Sequence, residues 1–151
     1  MAGQAKKWHN RFKFLVEIDG FVSAGFQTAG PLEGGVEVIE YREGGARIAD
    51  KSPGLANFEN ITLERGATDN LDEYNWFSQV ISAADNKGGA DPSVYKRNLA
   101  IIEQDNNGNE VRRWNVYGAW PVRFVAGEWD ATANEKTIRT LELAIDYFEP
   151  A

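Results

Sequence analysis

The side chains that could do chemistry here are few, and each has a plainer use. His9 is the only histidine and there is no cysteine. A proton shuttle or metal centre on His9 needs ordered partners, and the segment around it is polar and N-terminal. Ser-His-Asp and Cys-His catalysis therefore lack support. A disulfide scaffold and a cysteine-held zinc are excluded. Asp105-Asn106-Asn107-Gly108-Asn109-Glu110 has the oxygen-rich look of a calcium loop, but it lacks the EF-hand ligand frame with its closing Glu. Asn107-Gly108 explains it better as a hairpin turn. Asn60-Ile61-Thr62 fits a glycosylation sequon without a secretion signal and reads most simply as strand. Gly30, Gly34 and Gly35 flank Pro31-Leu32-Glu33 with no following Gly-Lys-Ser/Thr, so they are turn glycines and not a phosphate cradle. Paired carboxylates could serve a glycosidase. Outward Glu and Asp are expected on any soluble β-protein, however, and no catalytic residue, cofactor or metal is expected. Trp114, Trp120 and Trp129, with Tyr117 and Phe124, crowd into one stretch. They could stack on sugars from an open sheet face, or pack a core and a subunit interface, where Trp and Tyr are enriched. Trp114 shares parity with Val116, and Trp120 with Val122 and Phe124, which favours burial.

The chain of 151 residues is long enough for one domain with a real core. It is 42% hydrophobic and 26% charged, the balance of an ordinary globular protein. Sixteen basic residues against 23 acidic ones give a net charge of −7. Specific nucleic-acid binders show a basic face, because neutralising phosphates drives their binding. Lys6-Lys7 and Arg112-Arg113 are only pairs, so no such face is expected. Residues 1–11 lack a signal-peptide core, and no apolar run reaches membrane-spanning length. Synthesis in the cytosol, with no membrane partner, is expected.

The elements that would position any site are mostly strands. Phe12, Phe14, Val16 and Ile18 alternate with Lys13, Leu15, Glu17 and Asp19, the period of a half-buried strand. Asp19-Gly20 predicts a hairpin into residues 21–28. Further strands are predicted over 36–42, 58–65, 97–104, 110–118, 120–126 and 137–148, with a bend or edge at Pro121. Leu141, Leu143, Ile145 and Tyr147 share one face of the last strand, and Thr140, Glu142, Ala144 and Asp146 the other. One helix is predicted over 69–86. Thr68 or Asp69 caps it, Asp72 and Glu73 sit in its first turn, and Lys87 with Gly88-Gly89 ends it. Its stripe of Trp76, Phe77, Val80, Ile81 and Ala84 is expected to cover a sheet. Residues 43–57 are polar and Gly-rich without periodicity, longer than most loops of compact domains. They are predicted to form an extended inter-subunit arm. The fold class is mainly β: two antiparallel sheets forming a β-barrel or sandwich, with one flanking α-helix and that long arm. A single domain spans residues 1–151, and residues 1–10 are a flexible start. Open sheet edges invite pairing with another chain, and closure across subunits in a ring removes them.

Several short motifs run in order through nearly the whole chain. They are Phe14-Leu15-Val16-Glu17-Ile18-Asp19-Gly20, Ala24-Gly25-Phe26, Val36-Glu37-Val38-Ile39-Glu40-Tyr41-Arg42-Glu43-Gly44-Gly45 and Pro53-Gly54. Asn60-Ile61-Thr62-Leu63-Glu64-Arg65-Gly66, Trp114-Asn115-Val116-Tyr117-Gly118-Ala119-Trp120-Pro121, Asn134-Glu135 and Thr140-Leu141-Glu142-Leu143-Ala144 follow. Together they resemble the tail tube protein family of contractile phages and phage-derived contractile injection systems, with residues 86–95 longer than that pattern. The resemblance implies a homo-hexameric ring stacked into a hollow tube, a structural subunit and not an enzyme, through which phage DNA passes into the host. It also implies partners: tail sheath, baseplate and tail-terminator proteins, and a tape measure protein or DNA in the lumen. The implied place is the virion tail, assembled in the cytoplasm of a host bacterium. Arg42, Gly44, Gly45, Arg47, Lys51, Pro53 and Gly54 would then belong to an inter-ring arm. Glu37, Glu142 and Asp146 would line the lumen, and Trp76, Phe77, Val80 and Ile81 would pack the helix. Two alternatives stay open: the inner tube of a bacterial injection system delivering protein effectors, and a monomeric carbohydrate-binding β-domain.

Overall fold

Alternating side chains set the core. In the computed structural model, which describes residues 13–21, 25–84, 92–132 and 136–151, the chain runs β1 (Phe14–Ile18), β2 (Thr28–Gly30), β3 (Gly34–Tyr41), β4 (Asp50–Phe58), β5 (Ile61–Gly66), α1 (Asp72–Ala84), α2 (Pro92–Tyr95), β6 (Arg97–Gln104), β7 (Glu110–Val125), β8 (Ile138–Ala144) and β9 (Tyr147–Pro150). Every second residue of β5, namely Ile61, Leu63 and Arg65, is buried, as are Val16 and Ile18 of β1 and Leu141 and Leu143 of β8. This is the period of a sheet with one wet face.

Seven strands join edge to edge in the order β1-β6-β7-β8-β5-β2, with β9 also on β7. All pairings are antiparallel. The first half of β7 pairs with β6 and β9, and the second half pairs with β8. The strand turns at Gly118, whose φ is +67°, a region glycine enters without strain. A Cβ there would run into the Asp146 side chain. The neighbouring chain turns with it: β8 stops at Ala144, Asp146 N–H donates to Tyr117 O at 2.9 Å, and β9 resumes at Tyr147. Side chains from both halves share one core, including Val16, Phe26, Ile61, Leu63, Leu99, Val116 and Leu141. β1 and β2 end the strand order, so one subunit is an open sandwich and not a closed barrel.

α1 covers this sheet. Trp76 is fully buried, its Nε1–H donates to Tyr95 O at 2.6 Å, and its ring meets Phe21 edge-on. Phe77 is half-buried against Phe124 of β7. The cap is Asn70, whose Oδ1 accepts from Asp72 N–H at 2.9 Å. Thr68 sits one layer out, accepting from Asn70 N–H at 3.3 Å. The expected cap at Thr68 or Asp69 is therefore displaced, because the helix starts three residues later than predicted.

Several other expectations need correcting. Asp19-Gly20 does turn, with Phe21 N–H on Ile18 O, but β1 pairs with β6 and not with the described residues of 21–28. Among the described residues of that predicted strand only Thr28 is in a strand, as the first residue of β2, which pairs with β5. The strands predicted over 110–118 and 120–126 are one bent strand. Its bend lies at Gly118, while Pro121 sits beside a register shift, a position that tolerates its missing N–H. The strand predicted over 137–148 is two, so the predicted parity ends at residue 144. Ile145 packs against the core, but Tyr147 is exposed and stacks on Tyr117 at 4.6 Å. The turn at Asn107-Gly108 forms as expected: Asp105 accepts from the N–H groups of Asn107 and Asn109, and Gly108 has φ +85°. His9, the helix stop at Lys87-Gly88-Gly89 and the motif Asn134-Glu135 lie outside the described residues.

Candidate assembly surfaces

The 43–57 segment is largely strand. Asp50–Phe58 is β4, paired with β3 from Gly34↔Phe58 to Tyr41↔Asp50. The two strands form a ribbon separate from the seven-stranded sheet. The sequence hid the strand because its run is polar, and Gly and Pro inside it argue against extended structure. Gly54 is needed for close approach: a Cβ there would sit 3.2 Å from Ile39 Cγ1 and 3.3 Å from Glu37 O. Pro53 faces Val38 beside a bulge, and Lys51 faces Glu40. The tip is held by Arg42, whose Nε–H donates to Ala46 O at 2.7 Å, and by Gly45 at φ +87° beside Gly44. Arg47 is exposed on it. At the base, Phe58 meets the Phe148 ring edge-on at 5.3 Å, and Glu59 N–H donates to Glu33 O.

No residue of β3 is buried. Val36, Val38, Ile39 and Tyr41 stand more than half exposed, and Ile48 is 83% exposed. Val38 and Ile39 are adjacent in a strand, so both faces of the ribbon are apolar. A lone two-stranded ribbon is marginal in water. Contiguous exposed apolar surface of this kind marks a contact with another molecule.

The other predicted site residues scatter. Glu37 lies on the ribbon, Glu142 is half-buried on β8, and Asp146 sits at the β8–β9 bend, accepting from Lys96 Nζ at 3.1 Å. No single strand face carries all three. In the helix Trp76 is buried and Phe77 and Val80 are half-buried, while Ile81 is 47% exposed. Trp114 and Trp120 are half-buried, edge-on to Phe148 and Tyr95. Trp129 is 75% exposed.

One feature was invisible in the sequence. Glu73 of α1 is buried and paired with the buried Arg65 of β5, and Arg139 Nη1 lies 3.6 Å from its second oxygen. Arg139 also donates to Thr68 O at 2.7 Å and to Asn70 O at 2.5 Å, tying the helix start to β8. Burial lowers the Arg65 pKa, and the Arg139 charge lowers it further. Asp72 and Glu73 sit in the first helical turn as expected, and from there Glu73 reaches inward. Among the described residues no cluster of His, Cys, Asp or Glu could hold a metal. No helix of the described residues is long and apolar enough to cross a membrane.

The model for the T4-like virus tail tube protein gp19 family matches residues 10–149. The chain belongs to that family. This tail tube family member is similar in structure to the anti-feeding prophage tube terminating cap, with TM-score 0.82 and 24% identity over 100% of this chain and 95% of that one. It is similar to a chain of the six-fold symmetrised anti-feeding prophage baseplate, with TM-score 0.75 and 25% identity over 100% and 97%. It is also similar to a chain of the sheath/tube terminator of the PVC extracellular contractile injection system, with TM-score 0.80 and 23% identity over 98% and 99%. No curated protein sequence matches it.

Proposed function

We propose that this tail tube family member is a structural subunit whose hexameric rings stack into a hollow contractile-tail tube inside a sheath. The family match across residues 10–149 carries this reading. Two features of the subunit support it. The seven-stranded sheet ends on open strands that a ring would pair, and the apolar β3–β4 ribbon needs covering. The baseplate in which a similar chain sits is six-fold symmetrised. Sheath, baseplate and terminator proteins are the partners such a tube implies. A sugar-binding monomer loses support, because Trp114 and Trp120 are engaged with Phe148 and Tyr95 and not ranged on an open face.

Two cargoes fit the tube: phage DNA, with a tape measure protein, or protein effectors. The second reading is favoured by the similar chains in the anti-feeding prophage and the PVC injection system. Particles purified from the native source separate the two readings. DNA-filled heads on the tails mean phage, and headless tails with protein in the lumen mean an injection system.

A further inference from the structure

Ile48 and Trp129 are the two most exposed large apolar side chains among the described residues, at 83% and 75%. An exposed Trp is a large desolvation gain left unclaimed, and Trp is the residue most enriched at interface hot spots. Trp129 stands between two clefts. One, of about 330 Å³, is walled mainly by apolar side chains, Leu71, Tyr74 and Phe124 among them, with Arg139, which faces Glu73, its one charged lining residue among those described, and Leu71 and Tyr74 are themselves half exposed. The other, of about 800 Å³, is walled by Glu64, Glu128 and Asp130, with Lys136 the sole basic lining residue among those described. The indole therefore has an apolar side and an acidic side.

The hairpin tip has the complementary make-up. Arg47 and Ile48 are adjacent and both exposed. Residues 42–51 hold Arg42, Arg47 and Lys51 against Glu43 and Asp50, a net charge of +1 on a chain of −7. The tip is braced by the Arg42–Ala46 hydrogen bond and by Ala46 N–H on Glu43 O at 3.0 Å, so little ordering is left for binding to impose.

We propose that the β3–β4 tip of one copy docks on Trp129 of another, with Ile48 in the apolar cleft and Arg47 over the indole on its acidic side. A guanidinium on an indole face gains cation–π attraction, and neighbouring carboxylates add to it. The two surfaces differ, so the contact is heterologous and generates rings or open stacks rather than a closed pair. This inference rests on the tube reading and names the surface that receives the ribbon.

The test uses the full chain and four variants: Trp129→Ala, Asp130→Lys, Arg47→Glu, and Arg47→Glu with Asp130→Lys. Trp129 and Arg47 are exposed, so their variants should melt with the wild type, and Asp130→Lys, which gives up the hydrogen bonds from Thr132 N–H and Oγ1–H, is scored for assembly at a temperature where its own melt shows it folded. Each single variant should raise the concentration at which assemblies appear in electron micrographs by about tenfold or more. The double charge swap should return most of that loss. Single variants that assemble like the wild type, or a loss the swap does not relieve, overturn the pairing while the tube reading stands. A wild-type protein that forms neither rings nor tubes overturns both.

Discussion

At Trp76 a fully buried indole donates to Tyr95 O and lies under the Arg97 guanidinium at 5.3 Å. Trp76→Ala should cost about 3–5 kcal/mol of stability, the range for large aromatic truncations in a core. A thermal or urea melt measures it, and an unchanged midpoint would show that the helix does not cover the sheet. Ile81→Ala, on the same helix but 47% exposed, should stay within about 0.5 kcal/mol of wild type. Glu73→Ala should also cost about 3–5 kcal/mol, because it leaves Arg65 and Arg139 together in the interior. At Asp105, hydrogen bonds from the Asn109 backbone N–H, then that of Asn107, hold the carboxylate below its ordinary pKa. A lowered acid stabilises the fold above its unfolded pKa, and that stabilisation fades as pH falls through the folded value. The β6–β7 turn should therefore hold through mildly acidic pH and loosen only below the usual aspartate range, as an NMR titration of Asp105 would show.

Among the elements, the ribbon gives the sharpest test. Gly34 and Phe58 face each other at its base, so the ends that remain after removing residues 35–57 are close enough for a short linker. The seven-stranded sheet draws no strand from that segment. The shortened protein should fold and melt cooperatively yet fail to form tubes, and tubes of normal length would refute an assembly role for the ribbon. The elements also show what sequence could reveal. β1, β5 and the core of α1 were legible because alternating or helical apolar spacing reports one-sided burial directly. β4 was not, because both its faces are exposed and no burial pattern marks it. The bend shared by Gly118 and Asp146 was missed because it depends on a contact across strands, and parity alone carried the prediction past it. The Arg65–Glu73–Arg139 cluster unites residues far apart in the chain, and nothing local distinguishes a buried Glu from a solvated one in a first helical turn.

For the whole molecule, charge would bear on what moves through the proposed tube. In the proposed ring, six subunits at −7 would carry −42, by multiplication of the subunit value. An acidic wall would keep DNA from adhering during passage, and screening confines that repulsion to about 8–10 Å from the wall at physiological salt. Glu37, Glu142 and Asp146 remain the proposed contributors, although Asp146 is partly neutralised by Lys96. Mapping the inner surface of an assembled tube should show more acidic than basic side chains, and a lining of Lys and Arg would reverse the charge argument while leaving the tube intact. The central claim is assembly itself, and electron microscopy of the purified full chain tests it most directly. Rings with six-fold symmetry, alone or stacked into hollow tubes, are the predicted result. A protein that stays a dispersed monomer at every concentration and with every nucleating partner from its own tail would contradict the account.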